Sequence, residues 1–97
     1  MGGNGLHETH RVSAKLMAGE EAQCVADVVA ECHPDAQIHD FGSYLAIERE
    51  GELRLDLAAI SEALGRPYGL SMLLTILVSF NGAVDVNDEG IVIREAA

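Results

Sequence analysis

The sequence predicts an α+β domain in the order βαβββαβββ, with two helices packed on mostly antiparallel strands. Short segments with apolar residues at every second position recur along the chain and are separated by turn residues. Two other segments repeat at helical spacing, and each carries a start or stop signal. The 97 residues contain no internal repeat, no linker and no low-complexity tract, which fits one domain.

Residues 1–9 read as a flexible tail, since Gly2, Gly3 and Gly5 carry a high ordering cost, and residues 10–97 read as the folded unit. His10 to Leu16 alternates, with Val12, Ala14 and Leu16 on one face of a first strand. Gly19 to Cys32 sets Ala22, Val25, Val28, Val29 and Cys32 on one helical stripe. Glu20 and Glu21 fall in its first turn, where the helix dipole favours acids, and Pro34 stops it. Ala36 to Phe41 and Tyr44 to Glu50 form two strands joined at Gly42-Ser43. Tyr44 and Ala46 lie on one face of the second, Leu45 and Ile47 on the other.

After a turn at Glu50-Gly51, Leu53 and Leu55 mark the inner face of a short strand. Asp56 is placed to cap a helix carrying Leu57, Ile60 and Leu64, which Gly65 stops and Pro67 follows. Leu70 to Phe80 is long and apolar and reads as a strand. Leu73, Thr75, Leu77 and Ser79 would point one way, and Leu74, Ile76, Val78 and Phe80 the other. Its second face is either covered by a helix or exposed as a docking patch. Val84, Val86 and then Ile91, Val92, Ile93 form a closing hairpin around Asn87-Asp88-Glu89-Gly90.

Composition narrows the function. Hydrophobic residues make up 48% of the chain, enough for a packed globule, and the absence of Trp leaves an aliphatic core. The net charge of −10, from 6 basic and 16 acidic residues, steers the protein toward a positively charged partner. It disfavours nucleic acid and anionic membrane surfaces. No apolar run reaches about 18 residues, so no membrane span is expected. The Met-Gly-Gly-Asn-Gly start lacks the basic and apolar regions of a signal peptide, and Leu6 stands where a myristoylation motif needs Ser or Thr. Cytoplasmic residence is the expectation.

Cys24 and Cys32 share one helix at a separation of about 12 Å along its axis, too far for a disulfide. With His7, His10, His33 and His39 they supply metal-ligand types, but no metal-binding spacing occurs, and no metal or cofactor is expected. Ser13, Ser43, Ser61, Ser71 and Ser79 lie in no nucleophile motif. The acidic runs Glu20-Glu21, Glu48/Glu50/Glu52 and Asp85/Asp88/Glu89 read as solvated faces. Glycines form neither a dinucleotide fingerprint nor a P-loop.

Leu64-Gly65-Arg66-Pro67-Tyr68, followed by Leu77-Val78-Ser79-Phe80-Asn81-Gly82, resembles the effector (coupling or regulatory) proteins of soluble diiron monooxygenases, closest to the toluene and alkene type. Asp40, Tyr44, Ile47 and Glu50-Gly51-Glu52-Leu53 add to the resemblance, which covers roughly residues 40–93. It implies a cofactor-free, non-catalytic subunit that docks on a diiron hydroxylase and tunes O2 activation, substrate access and coupling. It also implies a docking region shared with the ferredoxin or reductase component. The family's docking stretch falls here on Ile76 to Asn81, and with Leu74 on the same expected face the partner-binding candidates are Leu74, Ile76, Val78, Ser79, Phe80 and Asn81. At Ile76 and Val78 this chain is more apolar than many members of the family. Apart from the resemblance, a small electron carrier would need a Cys or Cys/His ligand set that is lacking. The alternatives are a small-molecule-binding α+β domain, recognisable by a ligand-dependent rise in melting temperature, and another regulatory interaction module without a hydroxylase partner.

Overall fold

In a computed structural model that describes residues 11–96, the alternation of the first strand organises the packing. The expected tail and His10 lie outside the described residues. β1 (Arg11–Met17) leads to α1 (Glu20–Cys32), β2 (Gln37–Asp40), β3 (Tyr44–Glu50) and β4 (Glu52–Asp56). Then come α2 (Leu57–Leu64), α3 (Leu70–Ile76), β5 (Leu77–Asn81), β6 (Ala83–Asn87) and β7 (Gly90–Arg94). Two antiparallel sheets result, a four-stranded one in the order β2-β3-β1-β5 and a three-stranded one in the order β4-β7-β6.

Val12, Ala14 and Leu16 are buried and pair with Arg49, Ile47 and Leu45, so the inner face of the large sheet is the one read from the alternation. Leu53, Leu55, Ile91 and Ile93 supply the inner face of the small sheet. Ala22, Val25, Ala26, Val28 and Val29 of α1 close one core with both sheets, together with Leu57 and Ile60 of α2. That core holds a single aromatic, Tyr68. The α+β class and the order of strands agree with the sequence expectation.

Three local expectations change. Leu70 to Phe80 is not one strand: its first seven residues form α3. An almost uniformly apolar run satisfies both the two-residue and the 3.6-residue period, so its pattern does not choose between them. Packing chooses the helix, in which Leu73 is buried while Ser71, Met72, Leu74 and Thr75 are exposed. Thr75 Oγ1 donates to the Ser71 carbonyl at 2.7 Å, a bond available only between residues one helical turn apart. Leu74 and Ile76 therefore project from a helix and not from a strand face.

The second change is in β5. Leu16 pairs with Leu77 and Lys15 with Ser79, so Val78 is an extra residue, a β-bulge. Leu77 and Phe80 consequently share the sheet face of Leu16 and Ala14, while Ser79 and Asn81 share that of Lys15 and Ser13. Strict alternation from Leu77 to Phe80 is lost. The third change is Cys32, which is exposed because the last turn of α1, Ala30 to Cys32, runs past the packed stripe. Cys24 is the half-buried thiol, with Sγ 3.9 Å from the Ile60 carbonyl, and both cysteines are free.

Candidate docking surface

The residues expected to meet a partner lie on two consecutive elements at the edge of the large sheet. Leu74 is exposed on α3, and Ile76 is half-buried where that helix ends. Val78, in the bulge, is 60% exposed, and Phe80 is 44% exposed although it lies on the core side of the sheet. Ser79 and Asn81 are exposed on the opposite side. The structure thus brings all six residues to one edge but divides them between its two faces. Because β5 is an edge strand, a partner seated on the edge meets both.

Other exposed apolar residues, which the sequence reading did not assign to docking, stand on α3 and on β6, the next strand of the chain. Met72 is exposed on α3, and Val84 and Val86 are exposed on β6. Val84 pairs with Ile93 and Val86 with Ile91, so both belong to the inner face of the small sheet. They stay exposed because β6, too, is an edge strand. Only the order of strands in the sheet reveals this. Gly82 joins the two edges at φ 134°. A Cβ there would lie 2.6 Å from the Arg94 carbonyl oxygen and 2.8 Å from Ile93 Cγ2, so only glycine lets β5 pass this close to β7.

The turn from α2 into α3 fixes where the strip starts. Asp56 caps α2 by accepting from the Ala58 N–H at 3.3 Å. Gly65 ends it in the left-handed conformation, with its N–H donating to the Ser61 carbonyl at 2.9 Å. Ser61 Oγ accepts from the Tyr68 N–H at 2.9 Å and donates to the Tyr68 carbonyl at 3.2 Å. The Tyr68 hydroxyl donates to Glu21 Oε1 at 2.9 Å, and Arg66 lies 3.9 Å from the same carboxylate. Burial, and then the Glu21 carboxylate, push the Tyr68 phenol well above the ordinary tyrosine range. Leu-Gly-Arg-Pro-Tyr is therefore a structural clip that holds the entrance of α3 to the start of α1. Its second anchor, Ser61, carries no sequence signal of its own.

Among the described residues no group of three or more His, Cys, Asp or Glu side chains could hold a metal ion. His7 and His10 lie outside them. Burial and the nearby Asp27 and Glu20 carboxylates push the Cys24 thiol up, away from thiolate chemistry. Glu52 is held below the usual carboxylate range by Arg54, which donates to it at 2.8 Å, and Arg94 joins Glu52 to Asp85 across the small sheet. No helix of the described residues is long and apolar enough to cross a membrane.

The model of the MmoB/DmpM family matches residues 10–94. The chain belongs to that family. It is 32% identical over 79 residues to an alkene monooxygenase system effector subunit of Xanthobacter autotrophicus Py2, covering 79% of this chain and 78% of the relative. Its fold is similar to a chain in the structure of a phenol hydroxylase–regulatory protein complex, with a TM-score of 0.78 and 24% identity over 87% of this chain and 97% of that one. It is also similar to the soluble methane monooxygenase regulatory protein B, with a TM-score of 0.68 and 22% identity over 93% of this chain and 68% of that one. MmoB/DmpM proteins are effector, or regulatory, components of multicomponent monooxygenases and are distinct from the catalytic hydroxylase. The Leu-Gly-Arg-Pro-Tyr clip and the edge formed by α3 and β5 lie within the matched span.

Proposed function

We propose that this protein is a cofactor-free effector subunit that docks on the diiron hydroxylase of a multicomponent hydrocarbon monooxygenase. Docking uses Leu74, Ile76, Val78, Ser79, Phe80 and Asn81 and tunes O2 activation, substrate access and coupling. The observation that carries the reading is the exposed apolar strip at the sheet edge of an MmoB/DmpM member. Single exposed hydrophobic residues are ordinary on a soluble protein, whereas a run along one edge marks a contact surface. The bulge at Val78 both turns an apolar side chain outward and interrupts the regular edge ladder.

The mechanism is a shift of population in the hydroxylase. An effector changes its partner only by binding one conformation better than another. A preference of about twentyfold corresponds to roughly 1.8 kcal/mol, within the usual range of allosteric coupling. The net charge of −10 steers the encounter toward a basic docking region, for which an acidic ferredoxin or reductase component would compete. The reaction takes place in the cytoplasm, where the two free thiols stay reduced.

The test is turnover of the hydroxylase, with its electron-transfer components, as effector is added. The reading predicts a saturable rise in product formed per electron consumed, and loss of that rise on Val78→Asp. A hydroxylase indifferent to the protein at every ratio would overturn it.

A further inference from the structure

On the face of the four-stranded sheet that points away from the core, Ala46 is buried at the centre, and the residues around it are accessible among the described residues. They include Ser13, Lys15, Tyr44, His39, Ser79 and Asn81, all exposed or half-exposed. An aromatic stack runs along this face: Phe41 lies 4.9 Å from Tyr44, centroid to centroid, and 6.2 Å from His39. Phe41 is 56% exposed and Met17, paired with Tyr44, is 51% exposed. The chain has only four Phe and Tyr side chains, and Tyr68 alone is in the core. Aromatic residues and methionine at the surface of a protein with an aliphatic core have the composition of the centre of an interface.

Charge points the same way. Each of the five arginines lies within ion-pair distance of a carboxylate. Lys15, the only lysine of the sequence, has no carboxylate within that distance among the described residues, and its Nζ sits 5.5 Å above the Tyr44 ring. Glu48, which pairs with Ser13 on this face, is shared by Arg11 at 3.6 Å and His39 at 3.7 Å. In a chain of net charge −10, this sheet face carries a cation that no acid answers among the described residues.

We infer that this face is a second area of the docking surface, where the hydroxylase seats apolar side chains on the Phe41–Tyr44 stack and offers a carboxylate to Lys15. The inference rests on the docking reading above. The two areas are continuous, since Lys15 pairs directly with Ser79 of the docking edge. The partner that meets Ser79 and Asn81 is thereby led across β1 onto the stack.

The experiment measures the affinity of full-length variants for the purified hydroxylase, with melting temperature as the control for folding. Phe41→Ser and Lys15→Glu are each expected to raise Kd about tenfold with Tm unchanged, as truncation of an interface anchor does. Arg54→Glu, on the small sheet, makes the same change in net charge and is expected to leave Kd within about twofold, which separates contact from long-range steering. Lys15 is exposed and has no carboxylate within ion-pair distance among the described residues, so Lys15→Gln keeps the test decisive should Phe41→Ser lower Tm. Loss of binding in Val78→Asp alone, with Phe41→Ser and Lys15→Glu binding like wild type, overturns the second area and leaves the docking reading standing. Equal weakening by Lys15→Glu and Arg54→Glu, with Phe41→Ser unaffected, also overturns it. A wild-type protein that does not bind overturns both.

Discussion

The Tyr68 hydroxyl donates a 2.9 Å hydrogen bond to Glu21, joining the turn before α3 to the first turn of α1. The bond crosses 47 residues of sequence and sets the height at which α3 leaves the core. Tyr68→Phe removes only the hydroxyl. A hydrogen bond to a charged acceptor contributes roughly 1.5–3 kcal/mol, so the variant should lose about that much stability in urea denaturation. A loss below about 0.5 kcal/mol would show that the bond does not hold the turn.

The same residue predicts a response to alkali. The folded protein keeps the phenol protonated to a higher pH than the unfolded chain does. Stability is therefore fully present below the ordinary tyrosine pKa of about 10 and falls as the pH rises above it, where the unfolded chain releases the proton first. Melting temperature measured from pH 8 upward should fall more steeply in the wild type than in Tyr68→Phe. Parallel curves would contradict the assignment.

Neighbouring leucines report how α3 packs. Leu73 is fully buried, whereas Leu74 is 45% exposed. Leu73→Ala should cost about 2–5 kcal/mol. Leu74→Ala should change stability by no more than about 0.5 kcal/mol and act on hydroxylase binding instead. The reverse order would contradict the burial of Leu73 under α3.

Gly82 carries the corner between the two edge strands. A methyl group there meets the Arg94 carbonyl and Ile93 at a positive φ, so Gly82→Ala should cost at least about 2 kcal/mol in urea denaturation. A neutral substitution would show that the corner is free to relax.

What could be read ahead of the structure were the elements whose local chemistry has one solution. The alternation of Val12, Ala14 and Leu16, the cap at Asp56, the stop at Gly65 and the hairpin around Asn87 to Gly90 all form where expected. The remainder depends on relations that a linear pattern does not contain. Leu70 to Ile76 is apolar in either period, with Ser71 and Thr75 four residues apart as its one helical signature. The bulge at Val78 is a property of pairing with β1, and the exposure of Val84 and Val86 follows from the place of β6 at a sheet edge. The Ser61–Tyr68 bonds and the accessible face around Phe41 likewise emerge only once the chain is folded.

Val78 is the most exposed residue of the apolar edge and lies outside the core cluster, so a charge there should spare the fold. The most direct measurement is the effector-dependent turnover of the hydroxylase with Val78→Asp, at a melting temperature shown to match the wild type. The account predicts that the half-saturating effector concentration rises about tenfold or more, as for loss of a central interface contact. Turnover and half-saturation equal to the wild type would contradict the assignment of this edge as the docking surface.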